Sequence, residues 1–154
     1  MAINRARLIS VIGAGNASGP AWQAAHAVGR LLARHGFGVV CGGLGGVMEA
    51  AAMGCVQAGG LSVGILPGSD PALANPWCRV VIPSGLGQAR NVLVVQSGLG
   101  VIAISGGGGT LSEIGHALKI GRPVVGLDTW ELPGVPEASS PEEALELLLD
   151  RVHG

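Results

Sequence analysis

The sequence is poor in charge. Charged residues make up 12% of its 154 residues, whereas hydrophobic residues make up 48%. The formal net charge of -1 provides neither a basic surface for nucleic acid nor a polybasic patch for a membrane, so we expect neither partner. Because a small monomer usually carries more charge than this, we expect apolar surface to be buried in a homodimer or a higher homo-oligomer.

Lysine occurs only once, at Lys119. This excludes a P-loop, which needs a Gly-Lys-Ser/Thr stretch, and disfavours a pyridoxal-phosphate enzyme, which needs a lysine for its Schiff base. No Gly-x-Ser-x-Gly elbow joins a predicted strand to a helix, because the one such stretch, residues 60–64, falls in the predicted strand 61–66, so a serine hydrolase of that type is not expected. No acidic residue ends the predicted second strand, and the nearest acid, Glu49, lies inside the next helix, which disfavours an NAD site.

Cysteine is also scarce. Cys41, Cys55 and Cys78 have spacings that fit neither a disulfide framework nor a zinc site, and they are interpreted as reduced thiols, mostly buried, of a cytosolic protein. No charged-then-apolar leader opens the sequence, and no apolar run approaches the length of a membrane span. We therefore expect a cytoplasmic protein without a metal site or a resident cofactor.

Short apolar runs alternate with helical stretches along the chain. Continuously apolar strands separated by helices predict a mostly parallel sheet covered on both faces, in a single Rossmann-like three-layer α/β domain over residues 1–154. A capping box with proline at the first helical position starts the last helix at Ser140. The predicted strands are 8–12, 37–41, 61–66, 79–82, 101–104 and 124–127, and the other predicted helices are 21–35, 47–58, 85–96 and 110–120.

Three glycine-rich segments follow predicted strands. Ligands bind at the carboxyl ends of the strands in an open parallel sheet, where glycine lets the backbone approach them and helix N-termini offer N–H groups to anions. Tight turns also require glycine, so turn formation alone remains an alternative. The candidate ligand-binding residues of these segments are Gly13, Gly15, Asn16, Ser18, Gly42, Gly43, Gly45, Gly46, Gly106, Gly107, Gly108 and Gly109.

The segment from Ser105 to Glu113, Ser-Gly-Gly-Gly-Gly-Thr-Leu-Ser-Glu, resembles the Pro-Gly-Gly-x-Gly-Thr-x-x-Glu signature of the LOG ("Lonely Guy") family, whose members were once labelled lysine decarboxylases. Residues 42–50 are similar to its Gly-Gly-Gly-x-x-Gly-Leu-Met stretch, and Arg90 and Asn91 stand where it carries an Arg-Lys pair. The resemblance extends to about Leu127. The pattern looks most like the small bacterial branch related to molybdenum-cofactor carrier proteins.

The resemblance implies a phosphate-bearing small molecule as the ligand. LOG enzymes hydrolyse the N-glycosidic bond of nucleoside 5′-monophosphates to a base and ribose 5-phosphate, and lysine decarboxylation is not expected. The family pattern implies Arg90 and Glu113 as the catalytic pair. It implies Gly107, Gly109 and Thr110 as phosphate ligands and adds Met48 and Glu49 to the ligand site.

Two departures from the family pattern keep a second function open. Ser105 replaces the proline of the signature, and Asn91 replaces a lysine, which removes one positive charge from the site. The carrier-like branch is known for binding rather than hydrolysis. The alternatives are therefore a phosphoribohydrolase and a non-catalytic carrier or sensor for the molybdenum cofactor or a nucleotide-like ligand.

The two candidate catalytic residues also have structural explanations. Thr110 and Glu113 fit a capping box, with Thr110 at the N-cap and Glu113 at N3. If Glu113 is catalytic, its carboxylate would stabilise a ribose oxocarbenium ion or orient the attacking water. Arg90 lies in an otherwise apolar predicted helix, where it needs an anionic partner or extends its charged end to solvent at a dimer interface.

Three further polar or aromatic residues are weaker candidates. His116 follows Glu113 by three residues, but no second half of a metal site accompanies this Glu-x-x-His, so a packing or solvent-facing role is expected. Asn75 and Trp77 lie in a proline-rich loop that either covers the ligand as a lid or packs against the domain.

Overall fold

The computed structural model describes residues 5–153. Its elements in chain order are β1 (Leu8–Gly13), α1 (Pro20–Arg34), β2 (Gly38–Cys41), α2 (Val47–Gln57), β3 (Ser62–Leu66), β4 (Val80–Pro83), α3 (Arg90–Ser97), β5 (Val101–Ile104), α4 (Gly108–Lys119), β6 (Val124–Leu127), β7 (Glu137–Ala138) and α5 (Pro141–His153). The described residues form a seven-stranded sheet in the order β4-β3-β2-β1-β5-β6-β7, and every neighbouring pair is parallel.

Helices cover both faces of this sheet. Strands β2, β3, β5 and β6 are buried along their whole length, which explains their uninterrupted apolar sequences. One apolar cluster includes Val28 of α1 and Leu148 of α5, and the other includes Val94 of α3 and Ile114 of α4. The predicted Rossmann-like α/β fold is therefore confirmed.

The direction of strand addition reverses beside β1. The chain adds β2, β3 and β4 outward on one side of β1 and then returns to place β5 on its other side. Gly13 at the end of β1 pairs with Ile104 at the end of β5, and a Cβ on Gly13 would lie 2.2 Å from the Ile104 carbonyl oxygen. The carboxyl ends of β1 and β5 thus form the topological switch point, where ligands bind in such sheets.

Two sequence predictions need correction. The helix predicted from Gly85 begins only at Arg90, because Gly85 and Gly87 have φ values of 66° and 59°, which a right-handed helix does not allow. A short 3-10 turn, Gly87–Ala89, precedes it. Strand β7 was not predicted, since its two residues show no apolar run.

The start of α5 confirms the Ser140 half of the predicted capping box, whereas the Glu143 carboxylate binds the N–H one residue before the N-cap. The Ser140 hydroxyl oxygen accepts a hydrogen bond of 3.1 Å from the Glu143 N–H, and the Glu143 carboxylate accepts one of 3.1 Å from the Ser139 N–H. Within residues 5–153, no helix is both long and apolar enough to cross a membrane. All three cysteines are free, with Cys41 and Cys55 buried and Cys78 half-buried.

Candidate functional site

A cavity of about 480 Å³ lies at the switch point. All three glycine-rich segments contribute to its wall, together with the two residues proposed as a catalytic pair. These segments are far apart in the sequence, and the fold brings them to one edge of the sheet as predicted. The lining residues are Gly13, Ala14, Gly15, Gly42, Leu44, Met48, Pro67, Gly87, Gln88, Arg90, Asn91, Gly107, Gly109, Thr110 and Glu113.

Arg90 is a buried cation in this wall. It is the first residue of α3, and only 9% of it is exposed. One guanidinium nitrogen, Nη2, donates to the Gly42 carbonyl at 3.5 Å and Nη1 donates to the Asn91 side-chain oxygen, while Nε is buried without a partner. Burial lowers the pKa of Arg90, and this is opposed by Glu113 and Cys41. A buried guanidinium with an unused donor is suited to bind an anion.

Gly42 makes this position of Arg90 possible. A Cβ on Gly42 would lie 2.8 Å from Arg90 Nη2 and 2.7 Å from Met48 Sδ. Any side chain at residue 42 would therefore displace the guanidinium from the backbone. Gly42 has a defined packing role in the site.

Glu113 is the acid that faces Arg90 in the cavity. It lies on α4 and is 9% exposed. Burial raises its pKa from an ordinary value of 4.5 to about 7, although the charge of Arg90 opposes that rise. Near neutral pH the carboxyl group consequently exists in both protonation states, so it is able to donate or accept a proton.

The capping-box interpretation of Glu113 is wrong. The N-cap of α4 is Gly107, so Thr110 lies at N3 inside the helix, and no side chain caps this helix end. Thr110 is buried beneath Gly106, where a Cβ would lie 2.2 Å from the Thr110 hydroxyl oxygen. The missing Cβ lets the helix begin earlier than the sequence suggests, and helix capping therefore does not explain Glu113.

Gly107, Gly108 and Gly109 face open space. A Cβ on any of them would meet no atom within 4 Å, and none of the three has a positive φ. Neither packing nor a tight turn therefore requires glycine here. The first backbone bond at this helix end runs from the Leu111 N–H to the Gly107 carbonyl at 3.0 Å. The N–H groups before Leu111 lie at the open helix end, which is suited to an anion.

Several predicted ligand-binding residues do not line the cavity. Asn16 and Ser18 are exposed outside it. Gly43 and Gly46 have φ values of 79° and 63°, so the turn itself requires glycine at both positions. The other predicted residues outside the lining are Gly45, Glu49, Gly106 and Gly108.

The loop with Asn75 and Trp77, one of whose predicted roles was a lid, is hydrogen-bonded to the second glycine-rich segment. The Asn75 N–H donates to the Gly43 carbonyl at 2.8 Å, and the Asn75 side-chain amide donates to the Leu44 carbonyl at 2.9 Å. The Asn75 side-chain oxygen accepts a hydrogen bond from the Trp77 N–H at 3.0 Å. Neither Asn75 nor Trp77 lines the cavity, so the structure gives this loop a packing role.

His116 also lies outside the cavity lining, and its Nε2 is buried without a hydrogen-bond partner. Over residues 5–153, no group of three or more His, Cys, Asp or Glu residues is arranged to hold a metal ion.

Part of the cavity wall is formed by residues that the sequence pattern did not predict. Pro67 directly follows β3, so its position at the sheet edge was a recognisable signal. Gly87 and Gln88 reach the cavity through the unpredicted turn before α3. The remaining unpredicted lining residues are Ala14 and Leu44, whereas Asn91 was placed in the site by the family pattern.

Both departures from the LOG signature have a local structural reason. Ser105 has a φ of 53°, whereas proline is fixed near -65°. The Ser105 N–H also donates to the Leu127 carbonyl at 3.2 Å, a bond that proline lacks the hydrogen to make. Asn91 accepts a hydrogen bond from Arg90 through its side-chain oxygen, where a lysine would repel the guanidinium.

The sequence model of the SLOG cluster4 family matches residues 6–151. The chain belongs to the SLOG cluster4 family. An uncharacterized protein from Archaeoglobus fulgidus is 43% identical to it over 138 residues, which cover 89% of this chain and 91% of the relative.

Solved structures connect this SLOG protein with molybdenum-cofactor proteins. The molybdenum cofactor binding protein from Rippkaea orientalis has a TM-score of 0.90 and 36% identity, covering 96% of this chain and 98% of that one. The molybdenum cofactor carrier protein from Chlamydomonas reinhardtii has a TM-score of 0.85 and 29% identity, covering 97% and 99%. The resemblance to the LOG-like superfamily and its carrier branch is thereby supported, and no comparison demonstrates hydrolysis.

Proposed function

We propose that this SLOG protein is a carrier that binds the molybdenum cofactor in the switch-point cavity. The observation that carries the proposal is the buried Arg90 guanidinium, whose Nε has no partner, in the same wall as Gly107 and Gly109. The cation and the open N-terminus of α4 together suit a phosphate monoester. The cavity volume of about 480 Å³ suits a ligand of this size class.

The pterin part of the ligand is inferred from the comparisons. The Rippkaea orientalis protein is named for binding the molybdenum cofactor, a pterin that carries a phosphate group. Its alignment covers almost the whole of both chains. The same site chemistry also admits a nucleoside 5′-monophosphate, so a competition experiment is needed to distinguish the two ligands.

A direct test is anaerobic gel filtration with cofactor released from a molybdoenzyme, with the retained pterin measured by fluorescence after oxidation. We expect the wild-type protein to retain pterin and Arg90→Gln to retain at least tenfold less. Arg34→Gln is the matched control, because Arg34 is exposed in the last turn of α1. If the wild-type protein retains no pterin, or if Arg90→Gln retains as much as the wild type, the proposal is wrong.

A second candidate function is phosphoribohydrolase activity, and the pKa of Glu113 favours it. A carboxyl group with a pKa of about 7 in a phosphate site is suited to proton transfer at a glycosidic oxygen or base. However, Glu113 is the only acidic residue among the lining residues, whereas glycoside hydrolysis usually employs two carboxylates. This difference makes the carrier the better supported function.

The enzyme hypothesis is tested by base release from a panel of nucleoside 5′-monophosphates. Release by the wild-type protein that disappears in Glu113→Gln would establish hydrolysis and name the preferred base. Under the carrier proposal, neither protein releases base, while the nucleotides that enter the cavity compete with the pterin.

Assembly, location and partners other than the small ligand remain predictions. The low charge of the chain favours a homodimer or higher homo-oligomer, the net charge of -1 favours no nucleic-acid partner, and the free cysteines favour the cytoplasm. Light scattering of the purified protein measures its mass directly.

A further inference from the structure

The loop after β6 is hydrogen-bonded to the glycine-rich loop after β5. The Thr129 hydroxyl donates to the Ser105 carbonyl at 2.7 Å, and the Trp130 indole N–H donates to the Gly107 carbonyl at 3.1 Å. We call Thr129 and Trp130 the strap. Both acceptors belong to the segment whose N–H groups begin α4, so the strap contacts the proposed phosphate site from outside the cavity.

The two loops leave the sheet in the same way. Ile104 and Leu127 are paired at the ends of β5 and β6, and each is followed by a non-glycine residue with a φ of 53°, Ser105 and Asp128. Non-glycine residues adopt this region at a cost and remain there when surrounding contacts enforce it. The Thr129 hydrogen bond to the Ser105 carbonyl is one such contact.

Anchoring a carbonyl also orients an amide. A peptide group is planar, so a fixed Gly107 carbonyl sets the direction of the Gly108 N–H, and a fixed Ser105 carbonyl sets that of the Gly106 N–H. The Gly107 carbonyl accepts from Leu111 on the helix side and from Trp130 on the loop side. The strap thereby fixes the peptide planes through which this segment presents its donors.

The glycines at the start of α4 add no side-chain contacts of their own to hold this segment. Gly107, Gly108 and Gly109 have no side chains and open space around their Cβ positions, and glycine is the most flexible residue. Trp130 is itself 42% exposed and borders a separate cavity of about 480 Å³. The hydrogen bond to the Gly107 carbonyl is therefore one of the contacts that fix the position of the ring.

We propose that Thr129 and Trp130 are positioning residues for phosphate binding. They fix the peptide groups that precede Gly106 and follow Gly107, and so hold the lining residues Gly107 and Gly109 in place before the ligand arrives, which reduces the ordering cost of binding. This inference rests on the proposed function, because the segment is held in place to bind the phosphate group of the ligand. It adds two residues outside the cavity lining to the determinants of affinity.

The test compares three variants in the pterin-retention assay, again with cofactor released from a molybdoenzyme. Thr129→Val removes the hydroxyl donor and keeps the methyl group that lies against Gly126, where a Cβ would be 2.8 Å from Thr129 Cγ2. Thr129→Ser keeps the donor and removes that methyl group. Trp130→Phe keeps an aromatic ring and removes the indole N–H. Thermal unfolding of each variant controls for loss of the fold.

We expect Thr129→Val and Trp130→Phe each to weaken cofactor binding about tenfold, as for a lost hydrogen bond, while Thr129→Ser stays within about twofold of the wild type. Wild-type-like binding by Thr129→Val and Trp130→Phe would overturn the strap proposal alone. Equal loss in Thr129→Ser and Thr129→Val would also overturn it, because packing rather than the hydroxyl would then be responsible. If the wild-type protein retains no cofactor, the proposed function and the strap are both wrong.

Discussion

Two glycine-rich segments of similar appearance in the sequence have different reasons for their glycines. In the segment from Gly42 to Gly46, a side chain at Gly42 would strike Arg90, and Gly46 has a positive φ with the Ala14 carbonyl 2.2 Å from a hypothetical Cβ. At Gly107, Gly108 and Gly109, no atom lies within 4 Å of a hypothetical Cβ, and φ is not positive. The fold therefore needs glycine at Gly46, whereas it does not need glycine at Gly107, Gly108 or Gly109.

This difference separates the structural role of glycine from its role in binding. A glycine that the fold does not need, and that faces a cavity, leaves room for something that is not part of the chain. The Gly107–Gly109 segment adjoins the cavity and begins a helix, and Arg90 lines the same cavity. The contrast between the segments therefore supports a ligand site more strongly than the number of glycines does.

The largest expected effect is the destabilisation caused by Gly46→Ala. The added methyl group would press on the Ala14 carbonyl and place alanine at a φ of 63°, so we expect a loss of about 3–5 kcal/mol in the free energy of unfolding. Urea denaturation measures it. Gly68→Ala is the control, because no atom lies within 4 Å of a Cβ there. Equal stability of Gly46→Ala and Gly68→Ala would contradict the claim that the fold needs glycine at Gly46.

Ser105→Pro tests whether the positive φ of Ser105 and its N–H hydrogen bond are needed for stability. Proline does not adopt a φ of 53° and has no N–H for the Leu127 carbonyl, so we expect a loss of about 3 kcal/mol despite the closer match to the LOG signature. Ser105→Gly, which permits the same φ, should stay within about 1 kcal/mol of the wild type. Thermal and urea unfolding compare them, and a Ser105→Pro variant as stable as the wild type would refute this geometry.

Glu113→Gln tests how much the ionised carboxylate of Glu113 destabilises the folded protein. The pKa of Glu113 is about 7 in the folded protein, compared with an ordinary value of 4.5. Between these two pH values the folded protein keeps the proton and the unfolded chain does not, so unfolding releases a proton. The free energy of unfolding therefore falls as pH rises from 4.5 to 7. Below pH 4.5 the group is protonated in both states and this cost is absent. We expect Glu113→Gln to be about 3 kcal/mol more stable than the wild type at pH 8 and to lose that advantage near pH 4.

Urea denaturation at several pH values from 4 to 8 measures this difference. A difference between Glu113→Gln and the wild type that does not change with pH would show that the Glu113 carboxyl group does not titrate as described.

The smallest expected effects are the stability gains of two alanine substitutions on α4. Gly115 is exposed within the helix and Gly109 lies in its first turn, and both have free space for a methyl group. Alanine favours the helix over glycine, so we expect gains of about 0.5–1 kcal/mol for both variants by urea denaturation. A loss of stability in Gly109→Ala would mean that the fold itself requires that glycine.

The sequence predicted the sheet well because apolar runs report burial directly. Strands β2, β3, β5 and β6 are fully buried, and the predicted boundaries agree with the structure within one or two residues. Strand β7 and the late start of α3 were missed, because a two-residue edge strand has no periodicity and positive φ at Gly85 is not visible from composition.

The site was predicted less completely, because some of its features depend on contacts between residues that no motif connects. Arg90 and Glu113 line the same cavity, and their catalytic role stays a prediction from the family pattern. The N-cap of α4 was misplaced because the packing of Thr110 against Gly106 depends on tertiary contact. Thr129 and Trp130 carry no motif, and only their distances to two carbonyl groups identify them.

The most direct test of the central claim is cofactor retention by Gly109→Ala compared with Gly115→Ala. Both substitutions add one methyl group to α4, but only Gly109 lines the cavity. We predict that Gly109→Ala retains at least tenfold less pterin than the wild type while Gly115→Ala retains as much. Equal retention by the two variants would contradict the claim that the glycines after β5 are open to receive a phosphate-bearing ligand.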